Sequence, residues 1–385
     1  MAVTAGTIAS PQRLVLIWRV AAAATLLIFL WQWPFFIGND FGRVGTYLVH
    51  HGYILAWMLL ITSFTRTVPL RTLAAFWFVG VFPVMALVLL LSRPMHELLG
   101  GGELAYAYLG PLFEELIKPL PILALFAYRV WRGGWQLSAT DGLLLGFMVG
   151  AGFAFHEDAG YGRVWGEGFD ASPWSVLFPT LSYFRGNVAP YHDTLAALMG
   201  LSIGFAFLFR HYRLSWIVPV AVWLVVLATH VTGNLVGLSG RAPAPAEAVR
   251  TVLFGAQAVL ALLVIGIVVA VVLELRILRS VPREAPLFPP VRLGEFIAAL
   301  RQRTAGGLRR LHAVWVYVRL RRSLYYTLWS EPKLAGEKVE PMIQVLYSAG
   351  LQAGVPVAET FAAFGLANVP SQPDGSGPAP AAAGS

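Results

Sequence analysis

Two adjacent acids and a lysine interrupt an apolar stretch of this sequence, at Glu114, Glu115 and Lys118. An ionised carboxylate at the centre of a bilayer costs roughly 2.5–3.5 kcal/mol on insertion scales, so these acids must face protein, water or a cation rather than lipid. On a helix Glu114 and Lys118 share a face, whereas Glu115 points about 100° away. We therefore expect one acid to pair with the lysine and the other to address a second partner. A structural ion pair without chemistry is the alternative.

Two prolines follow the acids closely. Pro119 cannot donate a hydrogen bond to the carbonyl of Glu115, and Pro121 cannot donate to that of Ile117. The pattern predicts that the helix kinks just beyond the acids and leaves carbonyl acceptors near them without their usual helical partners.

Three further apolar stretches carry ionisable or amide side chains: Glu157 in one, His192 at the start of the next, and His230 with Asn234 in a third. His230 and Asn234 are four residues apart and project together from a helix. At 1.5 Å of rise per residue, helices running in alternating directions bring all of these groups to one level, roughly 8–10 Å below the outer face of the hydrocarbon core. The residues are therefore predicted to meet.

Carboxylates, two imidazoles and an amide are nitrogen and oxygen donors of the kind that Zn²⁺ accepts at catalytic sites, with a position left open for water. A carboxylate outside the ligand set can take the proton from that water. Because the spacing matches neither HExxH nor another soluble zinc signature, carboxylate-driven hydrolysis without a metal stays open.

The composition favours an all-α, polytopic membrane protein, because 57% of the 385 residues are hydrophobic and only 12% are charged. The chain has no cysteine, which excludes disulfides and thiolate sites. Arginines concentrate in alternate connections, so both termini are predicted to be cytoplasmic. Apolar runs predict about eight membrane-spanning helices, at residues 14–36, 44–63, 72–92, 108–128, 142–162, 188–209, 214–238 and 250–275.

These helices predict a simple domain order. Residues 1–107 form three N-terminal helices, 108–238 the catalytic core of helices four to seven, and 239–283 the last span. Residues 284–367 form a basic cytoplasmic tail, whose arginines alternate with apolar residues as in an amphipathic helix on anionic lipid. We expect no nucleic-acid binding, and residues 368–385 are predicted to be disordered.

Small residues predict where two helices of the core pack. Gly142, Gly146 and Gly150 recur at four-residue spacing and leave one helix face without side chains. A neighbouring helix can approach such a face closely, so we expect these glycines to serve packing alone.

At these residues the chain resembles the PrsW family of intramembrane proteases, which is grouped with CAAX prenyl endopeptidases and bacteriocin-processing enzymes in a wider superfamily. The resemblance covers about residues 108–238. The matching motifs are Glu114-Glu115-x-x-Lys118, Gly152-Phe153-Ala-x-x-Glu157 with Tyr161, His192 after Arg185 and Pro190, and His230-x-x-x-Asn234. One position departs from the pattern, since Asp158 stands where the family tends to carry Asn.

The resemblance implies proteolysis, within or near the bilayer, of a membrane-anchored protein such as an anti-sigma factor. The depth of the polar groups predicts that this protein is cut in a juxtamembrane segment near the extracytoplasmic face. In this interpretation Glu114 or Glu115 activates water and Lys118 holds the acid pair. The resemblance further implies that Asn234 stabilises the oxyanion and that three residues bind or assist a Zn²⁺ ion, namely Glu157, His192 and His230.

Two other functions remain open from the sequence. A proton- or cation-coupled transporter would use the same acids and histidines as a relay. An inactive relative would bind peptides without cutting them.

Overall fold

The computed structural model describes residues 41–131, 135–161, 192–239, 244–252, 257–284, 305–331 and 336–355, with isolated positions at 23, 27, 28, 30 and 357. Every regular element within these ranges is helical. In chain order the helices are α1 (Phe41–Ile61), α2 (Leu70–Leu98, with a π-helical turn at Gly80–Val84), α3 (Glu103–Ile117), α4 (Leu120–Trp131), α5 (Ala139–Tyr161), α6 (His192–Leu208), α7 (Ile217–Ser239), α8 (Ala244–Val252), α9 (Gln257–Glu284), α10 (Ala305–Ser330) and α11 (Gly336–Ala353).

Four helical segments in the described ranges are long and apolar enough to cross a membrane: Leu70–Leu98, Ala139–Glu157, Arg213–Val236 and Ala258–Val281. Two shorter apolar helices, His51–Ile61 and His192–Leu208, accompany them. The predicted first span, residues 14–36, lies almost wholly outside the described residues. The predicted last span, 250–275, is wrong in its bounds, because α9 begins only at Gln257 and continues to Glu284.

Helices α5 and α6 form the tightly packed centre of the bundle. A Cβ atom on Gly146 would overlap the backbone carbonyl oxygen of Ala196, and one on Gly142 would overlap that of Gly200. The predicted packing role of these glycines is therefore confirmed. Because α5 carries Glu157 near its end and α6 begins at His192, this backbone contact holds two of the polar groups at a fixed distance.

The N-terminus of α5 is held by two buried carboxylates that the sequence analysis did not single out. Ser138 and Asp141 bond each other's backbone N–H, at 2.9 and 3.0 Å, in a reciprocal helix cap. Asp141 also accepts from the Thr67 amide at 2.7 Å. Glu274 of α9 accepts from the amide and the hydroxyl of Thr140, at 2.8 and 2.7 Å. These bonds join α5, α9 and the loop before α2.

The described residues up to Ile277 form one compact unit, which also includes the end of α10. There the Tyr326 hydroxyl donates to the Thr65 carbonyl at 3.0 Å, and the Gln136 amide donates to the Thr327 hydroxyl at 3.0 Å. Tyr326 is completely buried. The last turn of α10 is therefore part of the helical core, although it lies about fifty residues beyond the last candidate span.

The described part of residues 278–325, with α11 and the residues that follow it, forms a second compact unit. Tyr317 is completely buried there, and Gly350 of α11 lies so close that an added Cβ would be 3.2 Å from its ring. The Arg321 guanidinium stacks over the Tyr325 ring at 4.8 Å. The basic tail thus contains folded helices with buried aromatic residues. Its predicted binding to anionic lipid stays a prediction.

Candidate active site

The helix that carries the two acids is broken immediately after them. Helix α3 ends at Ile117, residues Lys118 and Pro119 form a turn, and α4 begins at Leu120. The predicted kink just beyond the acids is therefore confirmed, and it divides the predicted span 108–128 into two shorter helices. Pro119 leaves the Glu115 carbonyl without a helical donor, as expected. The indole N–H of Trp223, on α7, donates to this carbonyl at 2.9 Å.

Lys118 is at the centre of the site, with only 1% of its side chain exposed. Its ammonium nitrogen lies 3.0 Å from Glu114 Oε2 and 2.8 Å from Glu115 Oε1. The expectation that the lysine pairs with one acid alone is wrong, because residues three and four apart on a helix are both within reach of a long side chain. The same nitrogen lies 2.8 Å from His192 Nδ1 and 4.2 Å from the centre of the Phe153 ring. A buried cation therefore bridges the two acids and offsets one of their two negative charges.

The lysine contact assigns the protonation of His192. An ammonium group can only donate, so His192 Nδ1 accepts and the proton of the neutral ring is on Nε2. That nitrogen lies 2.5 Å from Glu157 Oε2, to which it donates. A carboxylate bonded to the outer nitrogen of a histidine fixes the orientation of its ring.

His230 is held in the same manner by a different acid. Its Nδ1 lies 2.9 Å from Glu115 Oε1, while its Nε2 lies 3.9 Å from Glu114 Oε2. His192 Nδ1 is 3.5 Å from that same Glu114 oxygen, and the two rings meet edge to face with centroids 4.9 Å apart. Each histidine thus has one nitrogen held by a carboxylate. The other nitrogen of His230 is directed towards Glu114, whereas that of His192 bonds Lys118 and lies beside Glu114.

The donor atoms are close enough for one metal ion to bind several of them. One ligating atom from each of four residues lies within 4.8 Å of all the others, namely Glu114, Glu115, His192 and His230. Three of these side chains are buried and His192 is half-buried. Imidazole nitrogens with carboxylate oxygens are a donor set that Zn²⁺ accepts. The residues present therefore fit a metal of this type.

The remaining predicted residues are placed less directly. Asn234 lies one turn beyond His230 on α7 and is half-buried. Arg185 and Pro190 lie outside the described residues, and so do the side chains of Asp158 and Tyr161. The proposed oxyanion role of Asn234 stays a prediction.

Two residues at the site were missed from the sequence. Trp223 precedes His230 by seven residues, two helical turns, which places both on one face of α7. That spacing was the available signal. His51 of α1 is buried with its Nε2 3.8 Å from Asp193 Oδ2, next to His192 in the chain. No sequence pattern links residues so far apart.

Comparison with known proteins gives one match. The model of the PrsW family intramembrane metalloprotease matches residues 68–273, which is more than half of the 385-residue chain. No curated protein and no solved structure gave a match. The matched region extends from the start of α2 to within α9, well beyond the motifs on which the resemblance rested.

Proposed function

This chain belongs to the PrsW family of intramembrane metalloproteases, and from that premise we propose that it cuts a membrane-anchored protein at the cluster around Glu114. Family membership identifies it as a membrane protein and a protease. The observation that carries the proposal is the arrangement of His192 and His230, each with one nitrogen held by a carboxylate and the other within 3.9 Å of Glu114.

We assign the metal to His192, His230 and Glu157. The bond from Glu115 to His230 Nδ1 leaves Nε2 as the ligating nitrogen of that ring. Glu157 is not among the four residues whose donor atoms converge; it contacts His192 Nε2 from α5 and would have to turn towards the cluster to bind the metal. A bound divalent metal would act as a Lewis acid and lower the pKa of water in its open position.

We assign the role of general base to Glu114. Glu115 and Glu157 each already bond a histidine, at 2.9 and 2.5 Å, whereas Glu114 Oε2 stays 3.5 Å or more from both rings. A general base needs hydrogen-bond reach to the water it deprotonates, and Glu114 is the acid of the three whose carboxylate does not orient a histidine. It would take the proton from that water as the water attacks the peptide carbonyl, and would give it to the leaving amine as the C–N bond breaks.

The other polar residues position these groups. Lys118 bonds both acids and so holds Glu114 and Glu115 in one arrangement. Glu115 in turn orients His230. Asn234, on the same face of α7, would donate to the oxyanion that forms at the peptide carbonyl.

The substrate class follows from the depth of the site. If the arginine-rich connections are cytoplasmic, as proposed for both termini, the cluster lies nearer the extracytoplasmic face. The scissile bond would then be in a juxtamembrane segment of an anchored protein, for which an anti-sigma factor is a candidate. The basic tail would contact anionic lipid.

The geometry favours proteolysis over ion transport. The buried carboxylates at the opposite end of α5, Asp141 and Glu274, accept bonds from backbone and hydroxyl groups. Sixteen residues of helix separate Asp141 from Glu157, which is about 24 Å. The α5 segment from residue 139 to residue 156 is buried in the bundle. A relay would need ionisable groups along this distance, and α5 contributes only the neighbouring His156 there.

The deciding experiment compares Glu114→Gln with Glu157→Ala in detergent-purified protein, with the exposed Glu97→Gln as control. Metal content is measured by plasma mass spectrometry, and cleavage is followed on a panel of single-span proteins co-expressed with each variant. We expect Glu114→Gln to keep about one zinc per chain and lose cleavage, and Glu157→Ala to lose both. Loss of zinc from Glu114→Gln with its retention in Glu157→Ala would reverse the two assignments. Full cleavage by both variants would refute the site.

A further inference from the structure

We infer that Trp223 is a positioning residue of this site. Its indole N–H fixes the position of Glu115 along α7. This inference rests on the proposed function, because it concerns how the metal-binding histidines are held. Trp223 lies outside every motif of the family resemblance, and its ring is half-buried. Its polar atom is directed inward, at the broken end of the helix that carries the acids.

The backbone carbonyl of Glu115 lacks its usual helical donor. Within α3 this oxygen would accept from the residue four positions on, but that residue is Pro119, which has no N–H. Glu115 is 1% exposed, so bulk water does not solvate the oxygen. A buried carbonyl of this kind requires another donor. Trp223 supplies one at 2.9 Å.

Helix α7 contacts Glu115 at two atoms, one on its backbone and one on its side chain. Trp223 bonds its backbone carbonyl at 2.9 Å, and His230 Nδ1 bonds its carboxylate at 2.9 Å. Residues seven apart on a helix are about 10.5 Å apart along its axis and lie on the same face. The two bonds therefore fix both ends of one residue against one helix face.

The two bonds fix the register between α3 and α7. With the backbone of Glu115 fixed by Trp223, its carboxylate meets His230 Nδ1 and turns Nε2 towards Glu114. Without the indole bond, the broken helix end is free to shift along α7, and the carboxylate then no longer orients the ring. Loss of a group that orients a ligand typically weakens metal binding by about 10–100-fold.

Two substitutions separate the hydrogen bond from the bulk of the ring. Trp223→Phe keeps an aromatic ring without the N–H, and Trp223→Gln keeps an N–H donor of similar reach without the ring. Trp57→Phe is the control, because that indole lies on α1, packs against Tyr53 of the same helix and is about half exposed. The full-length protein is used throughout, and circular dichroism checks that each variant folds.

Zn²⁺ affinity is measured by competition with a chromogenic chelator. We expect the dissociation constant of Trp223→Phe to rise about 10–100-fold, Trp223→Gln to recover most of this, and Trp57→Phe to match the wild type. Wild-type affinity in Trp223→Phe would overturn the inference. If Trp223→Gln binds Zn²⁺ no more tightly than Trp223→Phe, the inference is also overturned, because the effect would then come from packing.

A double-mutant cycle in the metal-free protein tests the same inference without zinc. Thermal unfolding of Trp223→Phe, His230→Ala and the double variant should be non-additive, because both side chains act through Glu115. If the wild type binds no Zn²⁺, the proposed metalloprotease function fails while this cycle still decides the role of Trp223. Strict additivity would show that Trp223 does not position Glu115 against His230.

Discussion

Lys118 provides the most demanding test of the site, because it is a buried cation between two buried acids. Replacement by Met keeps the length of the side chain and removes its charge. The ammonium nitrogen lies within 3.0 Å of Glu114 and Glu115, and its side chain is 1% exposed. Lys118→Met would therefore leave two carboxylates side by side without their cation.

The structure sets the size of the effect. Removing one partner of a buried ion pair costs about 3–5 kcal/mol. The whole free energy of unfolding of a typical protein is only about 5–15 kcal/mol, so Lys118→Met should be severely destabilised without metal. The exposed pair between Arg93 and Glu97 supplies the contrast, and Arg93→Met should change stability by less than about 1 kcal/mol.

The assay is reversible unfolding in mixed micelles of dodecyl maltoside and increasing dodecyl sulfate, followed by circular dichroism. Two further measurements examine the cause. The double variant Glu115→Gln/Lys118→Met should recover much of the loss, because one negative charge is gone. Zn²⁺ at one hundred times its dissociation constant should also restore stability, by about 2.7 kcal/mol, since a bound cation stabilises the folded state by mass action. A Lys118→Met protein within about 1 kcal/mol of the wild type would refute the reasoning.

Two further predictions concern the frame around the site. Gly146→Ala should lower the free energy of unfolding by about 1–3 kcal/mol and reduce zinc content, because the new Cβ overlaps the Ala196 carbonyl and separates α5 from α6; unchanged unfolding would contradict the close packing. Glu274→Ala should cost about 1–3 kcal/mol by leaving the buried Thr140 amide without its acceptor, with zinc content unchanged because the bond lies at the far end of α5. Zinc loss in this variant would show that the two ends of α5 are coupled.

The parts of the site that could be predicted are those fixed by local chemistry. Proline lacks an N–H wherever it occurs, so the break after Glu115 was readable from Pro119. Glycines at four-residue spacing leave a bare face on any helix, which predicted the contact of α5 with α6. The convergence of Glu114, Glu157, His192 and His230 followed from helix rise and alternating direction.

What could not be predicted depends on partners distant in sequence. No local pattern around Glu274 indicates that it caps the N-terminus of α5 through Thr140, which lies 134 residues away in the chain. Trp223 appeared to be an ordinary membrane aromatic until the Glu115 carbonyl was placed beside it. Lys118 was assigned one acid because ideal helix angles ignore the reach of a flexible side chain.

The last turn of α10 determines where this protein can be shortened. The family match ends at residue 273, which invites truncation for expression soon after the last candidate span. Such a truncation would remove Tyr326, whose hydroxyl donates to the Thr65 carbonyl, and Glu331, which pairs with Arg210. Both contacts close the same end of the bundle as the α5 cap. A shortened protein that retains the protease core should therefore keep the chain through Glu331. Alternatively, the segment that carries Tyr326 and Glu331 could be attached at another point of the core.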